Sequence, residues 1–343
     1  MSGVLEFTLA PELEAHEPPE ARGLGRDQVR LLVGRRPDRV SHHRFTDLPD
    51  LLAPGDVLVV NTSSTMAAAV PTADGRFMVH FSTQQPDGAW VVELRRPESG
   101  STRPYFGGRA GTVLTLKGGA TVALRSSYSD RLWVADVSVR ALPLYLRAHG
   151  RPIRYSYVER DWPLSAYHSV FADLRTADRE GSAEMPSASR PFTDHLVTSL
   201  ASRGVVIAPL TLHTGVASPE AHEKPYPERF EVPATTARLV TQARAAGSRI
   251  IAVGTTAVRA LESAARPGGV VTAASGWTDL VVTPDSGVRA VDGLLTGFHE
   301  PKASHLLMLA AIAGDELLAR CYQEAIGAGY LWHEFGDLNL LLR

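Results

Sequence analysis

Between residues 67 and 147 the hydrophobic pattern changes period, and this switch limits the folds open to the chain. Inside the stretch, short β-rich runs ("RFMVHFST", "AWVVELRR", "GTVLTLKGGATVALR", "RLWVADVSV") are separated by Gly, Pro, Asp and Ser turns, the pattern of a small β-barrel or sandwich. Just before it, "PGDVLVVN" is a turn leading into a continuous apolar strand, as in a sheet covered on both faces. After it, strands and helices alternate: helix 193–204, strand 205–213, helix 235–247, strand 248–255 and helix 257–266. Strands at 278–284 and 291–299, helices at 304–314 and 315–329 and a last strand from 337 complete the series. The fold class predicted is α/β, a discontinuous α/β domain of residues 1–66 and 148–343 with the β-rich segment 67–147 inserted.

With 343 residues, 44% of them hydrophobic, the chain can bury a substantial core. Its longest strongly apolar run, "LLMLAAIA" at 306–313, falls far short of the roughly 18 residues that a membrane span needs. The N-terminal "MSGVLEFTLAPELEAHEPPE" lacks the basic and apolar regions of a signal peptide. A cytoplasmic protein with no membrane partner is expected. Cys321 is the only cysteine, which excludes disulfides within the chain and multi-thiolate metal sites. Quiet burial in a helix is its expected role.

Net charge is −2, so the chain as a whole does not attract nucleic acid or an anionic surface. Residues 67–147, however, hold ten Arg or Lys against six Asp or Glu, leaving −6 on the remainder. Any polyanion must therefore meet a local patch.

Several familiar motifs are missing. "GLG" at 23–25 lacks the third glycine and the preceding strand of a dinucleotide fingerprint, and there is no phosphate loop, no HExxH and no GxSxG. The twelve histidines show no ligand spacing, so no metal is predicted.

Three segments carry a chemical signal. In "IIAVGTTAVRALES" (250–263) a buried strand stops at Gly254 and a helix begins at Thr255 or Thr256, where free N–H groups and two hydroxyls suit a carboxylate or a ribose. The plain structural alternative has Thr255 capping the helix and Arg259 pairing with Glu262. In "VDGLLTGFHEPKASHLLMLAAIAG" (291–314) a strand ends in a turn bearing His299 and Glu300, at the strand end where open α/β sheets bind ligands. A turn histidine of purely structural role is the alternative. The irregular stretch 212–232 carries His213, His222, Glu223 and Glu228, and long unstructured loops often cover active sites.

Together, "GTTAVRALES", "GWTDLVVTP", "VDGLLTGFHEP", "LLMLAAIAG" and "FGDLNLL", with "RDQVRLLV" and "FTDLPDLLAPGDVLVVN" near the N-terminus, resemble the S-adenosylmethionine:tRNA ribosyltransferase-isomerase family of queuosine biosynthesis. The resemblance is collinear along almost the whole chain. It implies that the inserted segment is a small β-barrel. It also implies a transferase-isomerase that moves the ribosyl unit of S-adenosylmethionine onto 7-aminomethyl-7-deazaguanine in a tRNA anticodon, giving epoxyqueuosine, adenine and methionine. The sulfonium acidifies the C5′ protons, so such a site needs a general base, a neutral acceptor amine, donors for the departing adenine and a cradle for the methionine carboxylate.

Some motif positions differ from the family pattern. Thr62 stands where the family has an acid, Ser64 and Ala69 where it has arginines, Pro191 where it has a histidine, Gly297 where it has an asparagine and Asn339 where it has a methionine. In the shortened His motif, His213, Gly215, His222 and Glu228 correspond, with Tyr226 near a second histidine position. Two alternatives therefore stand beside the tRNA reaction: a relative that cleaves S-adenosylmethionine or passes its ribosyl part to a small-molecule acceptor, and a non-catalytic binding protein.

The resemblance and the strand–helix junction assign Gly254, Thr255, Thr256 and Arg259 to the methionine or ribose part. His213 or His299 is the proton-transfer candidate, since an imidazole is readily neutral near pH 7, and Asp337 orients it or binds a hydroxyl. Asn61, Ser187, Thr193, Trp277, Thr278 and Glu228 complete the predicted binding set. The partners implied are S-adenosylmethionine, as substrate, and either the tRNA anticodon loop or a small acceptor.

Overall fold

The computed structural model describes residues 5–98, 100–177, 180–216 and 226–343. The chain opens with β1 (Arg30–Arg35), β2 (Arg39–Arg44), the single turn α1 (Leu48–Leu51) and β3 (Val57–Asn61). It continues through β4 (Ala69–Pro71), β5 (Met78–Gln84), β6 (Trp90–Glu98), β7 (Ser101–Pro104), β8 (Val113–Thr115), β9 (Thr121–Ser127), β10 (Leu132–Val137) and α2 (Leu142–His149). Then follow α3 (Asp194–Ser202), β11 (Val206–Leu212), β12 (Glu228–Val232), α4 (Ala234–Ala245), β13 (Ile250–Val253) and α5 (Thr255–Ser263). The last elements are β14 (Ala274–Thr278), β15 (Gly293–Gly297), α6 (His305–Ala313), α7 (Asp315–Gly327) and β16 (Leu338–Leu342).

The strands form two sheets in a mixed α/β architecture. The larger has the order β14-β12-β11-β3-β13-β15-β16-β1-β2. At its centre, β3 pairs in parallel with β11 and β13, and β13 in parallel with β15. Every residue of β3 is buried because helices cover both faces. Val57 and Val59 face the core shared with α4 and α5, whereas Leu58 and Val60 face α3 through Leu196 and Leu200, the period of two that a strand imposes. Each such side chain contributes about 1.5–3 kcal/mol of burial. Helix α6, apolar on almost every side, is correspondingly sunk in the first of these cores.

The second sheet draws all its strands from one continuous stretch, in the order β4-β5-β6-β10-β9-β8, with β7 on β6. It is curled: Ala73 N–H donates to Thr115 and Lys117 N–H to Pro71, at 2.8 and 2.9 Å, joining the ends of its outer strands. Its concave core gathers Val79, Phe81, Val92 and Leu124, capped by Leu142 and Leu146 of α2. The chain enters and leaves side by side, since Ala69 and Arg151 exchange both backbone hydrogen bonds at 2.9 Å.

Two sequence expectations are corrected. The strand expected at 278–284 lies earlier, as β14, because Arg259 takes the carbonyls of Thr278 and Leu280 and so removes them from any ladder. The stretch 212–232 is not irregular throughout: its end is β12, whose buried Glu228, Phe230 and Val232 alternate with exposed Arg229 and Glu231. His222 and Glu223 lie outside the described residues. Cys321 sits buried on α7, where desolvation pushes its thiol up to about 12 and away from thiolate chemistry. Among the described residues no helix is long and apolar enough to cross a membrane.

Candidate active site

Because β3, β11, β13 and β15 are parallel neighbours, their carboxyl ends share one edge of the large sheet. The residues that follow them, Ser63, His213, Gly254 to Thr256 and His299, are thereby brought to that edge, the usual place for ligands in open α/β sheets. β16 runs antiparallel to β15, with Leu338 opposite Gly297, so the loop that precedes it, 331–337, reaches the same edge. A cavity of about 470 Å³ opens there, with the second sheet supplying part of its wall through His80, Glu93, Arg95 and Arg131. Its size is that of a small-molecule site.

Six of the predicted site residues line this cavity: Ser187, Glu228, Thr255, Thr256, Arg259 and His299. Helix α5 starts without a side-chain cap, since Gly254 is its N-cap at φ 90°, a conformation that penalises any other residue. Thr255 is therefore not a cap, and its N–H and that of Thr256 belong to the first turn, which lacks intrahelical acceptors. Arg259 does not pair with Glu262, which instead accepts from the N–H groups of Arg289, Ala290 and Val291. It pairs with Glu228, itself bonded by Gly215 N–H at 2.9 Å. Burial pushes the Glu228 carboxyl upward against the pull of the guanidinium. The arginine thus ties helix α5 to β12 and to the loop after β14.

His299 is held between two elements. Its Nε2 meets the Thr296 hydroxyl at 2.9 Å, its N–H donates to the Tyr322 hydroxyl at 3.0 Å, and its ring stacks on His305 at 4.7 Å and 11°. Burial holds the ring well below its ordinary pKa, with His305 and His333 pushing the same way, and His305 is lowered to about 4, also chiefly by burial. Both imidazoles are neutral at pH 7. With Nε2 engaged, Nδ1 of His299 is the nitrogen left for a ligand.

The other predicted residues lie behind or beside the cavity. His213, lowered to about 4 by burial despite Glu180 at 3.7 Å, bonds Ser63 Oγ through Nδ1 at 2.8 Å. Asn61 copies a strand partner: its amide bonds both the carbonyl and the N–H of Leu212, at 2.9 and 3.0 Å, with Thr256 Oγ1 at 3.4 Å. Thr193 caps α3 and bonds Asp27, Thr278 bonds Ser263, and Trp277 is partly exposed on β14. Asp337 neither lines the cavity nor touches the histidines. It accepts the N–H groups of Arg30 and Leu331 at 2.7 and 2.8 Å and pairs with the Arg30 guanidinium at 2.8 Å.

That clamp fixes the tight loop 331–337, whose His333 and Glu334 do line the cavity and carry no expectation from the sequence reading. Gly336 is required in it, since a Cβ there would meet the Leu331 carbonyl at 2.3 Å. His333 has φ 71°, rare for a residue with a side chain and frequent at functional sites. Its ring stacks against Tyr155 and Tyr157 at 5.5 and 5.7 Å, and Nε2 lies 3.1 Å from Glu300 Oε1. The sequence signal was a His–Glu pair set between two buried aromatics, Trp332 and Phe335.

None of Thr62, Ser64, Ala69 and Pro191 lines the cavity. Thr62 bonds the Leu210 carbonyl, Ser64 is buried in the crossover between the sheets, and Ala69 is in β4. Among the described residues no group of His, Cys, Asp and Glu is arranged to hold a metal.

Comparison with known proteins identifies relatives along nearly the whole chain. The sequence model of a family described as "Queuosine biosynthesis protein" matches residues 4–341. The S-adenosylmethionine:tRNA ribosyltransferase-isomerase of Anaeromyxobacter sp. (strain Fw109-5) is 35% identical over 352 residues, covering 98% of each chain. The protein of that name from Thermus thermophilus is 34% identical over 356 residues, again 98% of each. The crystal structure of S-adenosylmethionine tRNA ribosyltransferase from Thermotoga maritima superposes with a TM-score of 0.56 at 28% identity, covering 99% of this chain and all of that one.

Proposed function

Because the chain belongs to the queuosine biosynthesis family of S-adenosylmethionine:tRNA ribosyltransferase-isomerases, we propose that the cavity at the carboxyl edge of its large sheet is where S-adenosylmethionine is taken apart. The protein is a transferase-isomerase of queuosine biosynthesis, with S-adenosylmethionine as substrate and tRNA as acceptor. In this reading the acceptor group is 7-aminomethyl-7-deazaguanine, and the reaction takes place in the cytoplasm. The segment 67–147 is an inserted barrel domain between 1–66 and 148–343, and its surplus of basic residues meets anticodon-loop phosphates.

The observation that carries the reading is a neutral histidine and an uncapped helix start on the wall of one cavity. The N–H groups of Thr255 and Thr256 take the methionine carboxylate. Arg259, committed to Glu228 and two carbonyls, shapes that wall. His299 removes a proton from C5′, made acidic by the neighbouring sulfonium, and adenine departs with the electrons of its glycosidic bond. His213 and Asn61 hold the strand ends in place, and Asp337 positions the loop 331–337. The positions where acidic and basic family residues are absent lie off the cavity, so their loss is compatible with the same chemistry inside it.

The test is to incubate the protein with S-adenosylmethionine, with and without tRNA bearing the deazaguanine precursor, and to follow adenine and methionine by chromatography. Release that depends on that tRNA is expected. Release without RNA, or only with a small acceptor, would replace tRNA by that acceptor, and binding without release would make the protein non-catalytic.

A further inference from the structure

Starting from the reading above, we propose that Glu334 receives the primary amine of the acceptor and takes its proton before the nitrogen attacks. Three acids stand on this side of the cavity, Glu184, Glu300 and Glu334. Glu184 accepts the Tyr155 hydroxyl at 2.8 Å and Glu300 lies 3.1 Å from His333. Glu334 differs from both: it is 7% exposed, and its Oε2 meets no donor among the described residues. A buried carboxyl oxygen without a donor, on a residue of the cavity wall, lacks a partner that a ligand can supply.

The surroundings fit an amine carried on a planar base. The rings of Tyr155, Tyr157 and His333 lie within 5.7 Å of one another with planes 7 to 19° from parallel, and Tyr155 and His333 are on the cavity wall, a flat surface for a heteroaromatic ring. Burial, reinforced by the Glu184 charge, pushes the Glu334 carboxyl well above the usual carboxylate range. A carboxyl that holds its proton until a cation arrives suits a group that trades protons, whereas a permanent sulfonium needs a permanent counter-charge.

The proton count closes. The alkylammonium enters as Glu334 releases its proton to water. An N–H bond then breaks and an O–H bond forms on Glu334, leaving the electron pair on nitrogen for the new N–C bond.

The experiment compares wild type with Glu334→Gln in steady-state assays, using tRNA that carries 7-aminomethyl-7-deazaguanine. A fall of about 100-fold in kcat/KM for the tRNA is expected, with KM for S-adenosylmethionine unchanged and partial recovery in Glu334→Asp. Equilibrium binding of S-adenosylmethionine reports whether the variant is folded. As a second measurement, tRNA carrying the 7-cyano analogue, which brings no transferable proton, should inhibit both proteins equally. Wild-type kcat/KM in Glu334→Gln, a loss confined to KM for S-adenosylmethionine, or unequal inhibition by the cyano tRNA each overturns the assignment. Absence of turnover in the wild type would instead overturn the reading of function, and this assignment with it.

Discussion

Glu93 and Glu334 are both buried carboxyls on the wall of one cavity, yet they are built into opposite surroundings. Glu93, on β6 of the curled sheet, is fully buried with Arg95 at 2.8 Å, Arg131 at 3.2 Å and His80 at 3.8 Å. Glu334, on the loop before β16, has no donor on Oε2 among the described residues, and the acid Glu184 pushes its pKa further up against the pull of Arg190. The first wall pairs its carboxylate with two guanidiniums through Oε1, while Glu93 Oε2 and His80 Nδ1 make no hydrogen bond among the described residues. The second leaves the buried Oε2 of Glu334 without a donor among the described residues. The two walls differ in how the carboxyl charge is met: Glu93 has guanidinium partners, whereas Glu334 has another acid for a neighbour.

The comparison can be broken at its structural pole. Glu93→Gln leaves the buried Arg131 and the partly buried Arg95 short of their counter-charge and should cost about 3–5 kcal/mol of stability, whereas Glu334→Gln, which removes no ion pair, should cost less than about 1 kcal/mol. Denaturant titration of the two variants measures the contrast, and equal losses would erase it.

Acid sharpens the same contrast. His80, His213, His299 and His305 are all lowered by burial, His213 and His305 to about 4 against an ordinary 6.5. The unfolded chain binds more protons in that window, so stability is full above pH 6.5 and falls as pH drops toward 4. The loss is on the order of 3 kcal/mol for His213 and for His305 at full extent. Glu334, raised in the folded state, works the other way, contributing stability at low pH that is lost as pH rises through its folded pKa. Replacing His305 by Asn should flatten the acid limb of a stability–pH curve, and an unchanged limb would contradict the buried neutral state.

Smaller effects are expected at the loop that carries Glu334. Asp337→Asn weakens two backbone bonds and the Arg30 pair, for a cost of about 1.5–3 kcal/mol. It should lower kcat by misplacing His333 and Glu334 while sparing S-adenosylmethionine binding at α5. The smallest effect is a gain: Asn339, fully buried with neither amide atom partnered among the described residues, should stabilise the fold by about 1 kcal/mol when replaced by Leu, seen as a raised denaturant midpoint.

Much of the scaffold was legible in the sequence. Apolar runs of the right length gave β3, β11, β13 and β15, and Gly254 followed by two threonines gave the strand–helix junction. β12 was hidden because its alternation of charged and apolar residues follows a proline-rich stretch of sequence, and β14 because a glycine and a serine interrupt it. The place of His299 at a strand end was legible, and it lines the cavity. Glu184, Tyr155 and Glu334 were not, since they come from separate loops and meet only through the fold. Asp337 was read as chemistry, although its contacts are those of a clamp, because sequence adjacency to a site does not tell a ligand contact from a loop support.

The most direct test of the account follows the hydrogen that His299 is assigned to remove. With S-adenosylmethionine tritiated at C5′ and precursor tRNA, the wild-type protein should release tritium into water in step with adenine, and His299→Ala should lose both by about 100-fold or more. Adenine released while all the tritium stays in the tRNA product, or full release by His299→Ala, would contradict it.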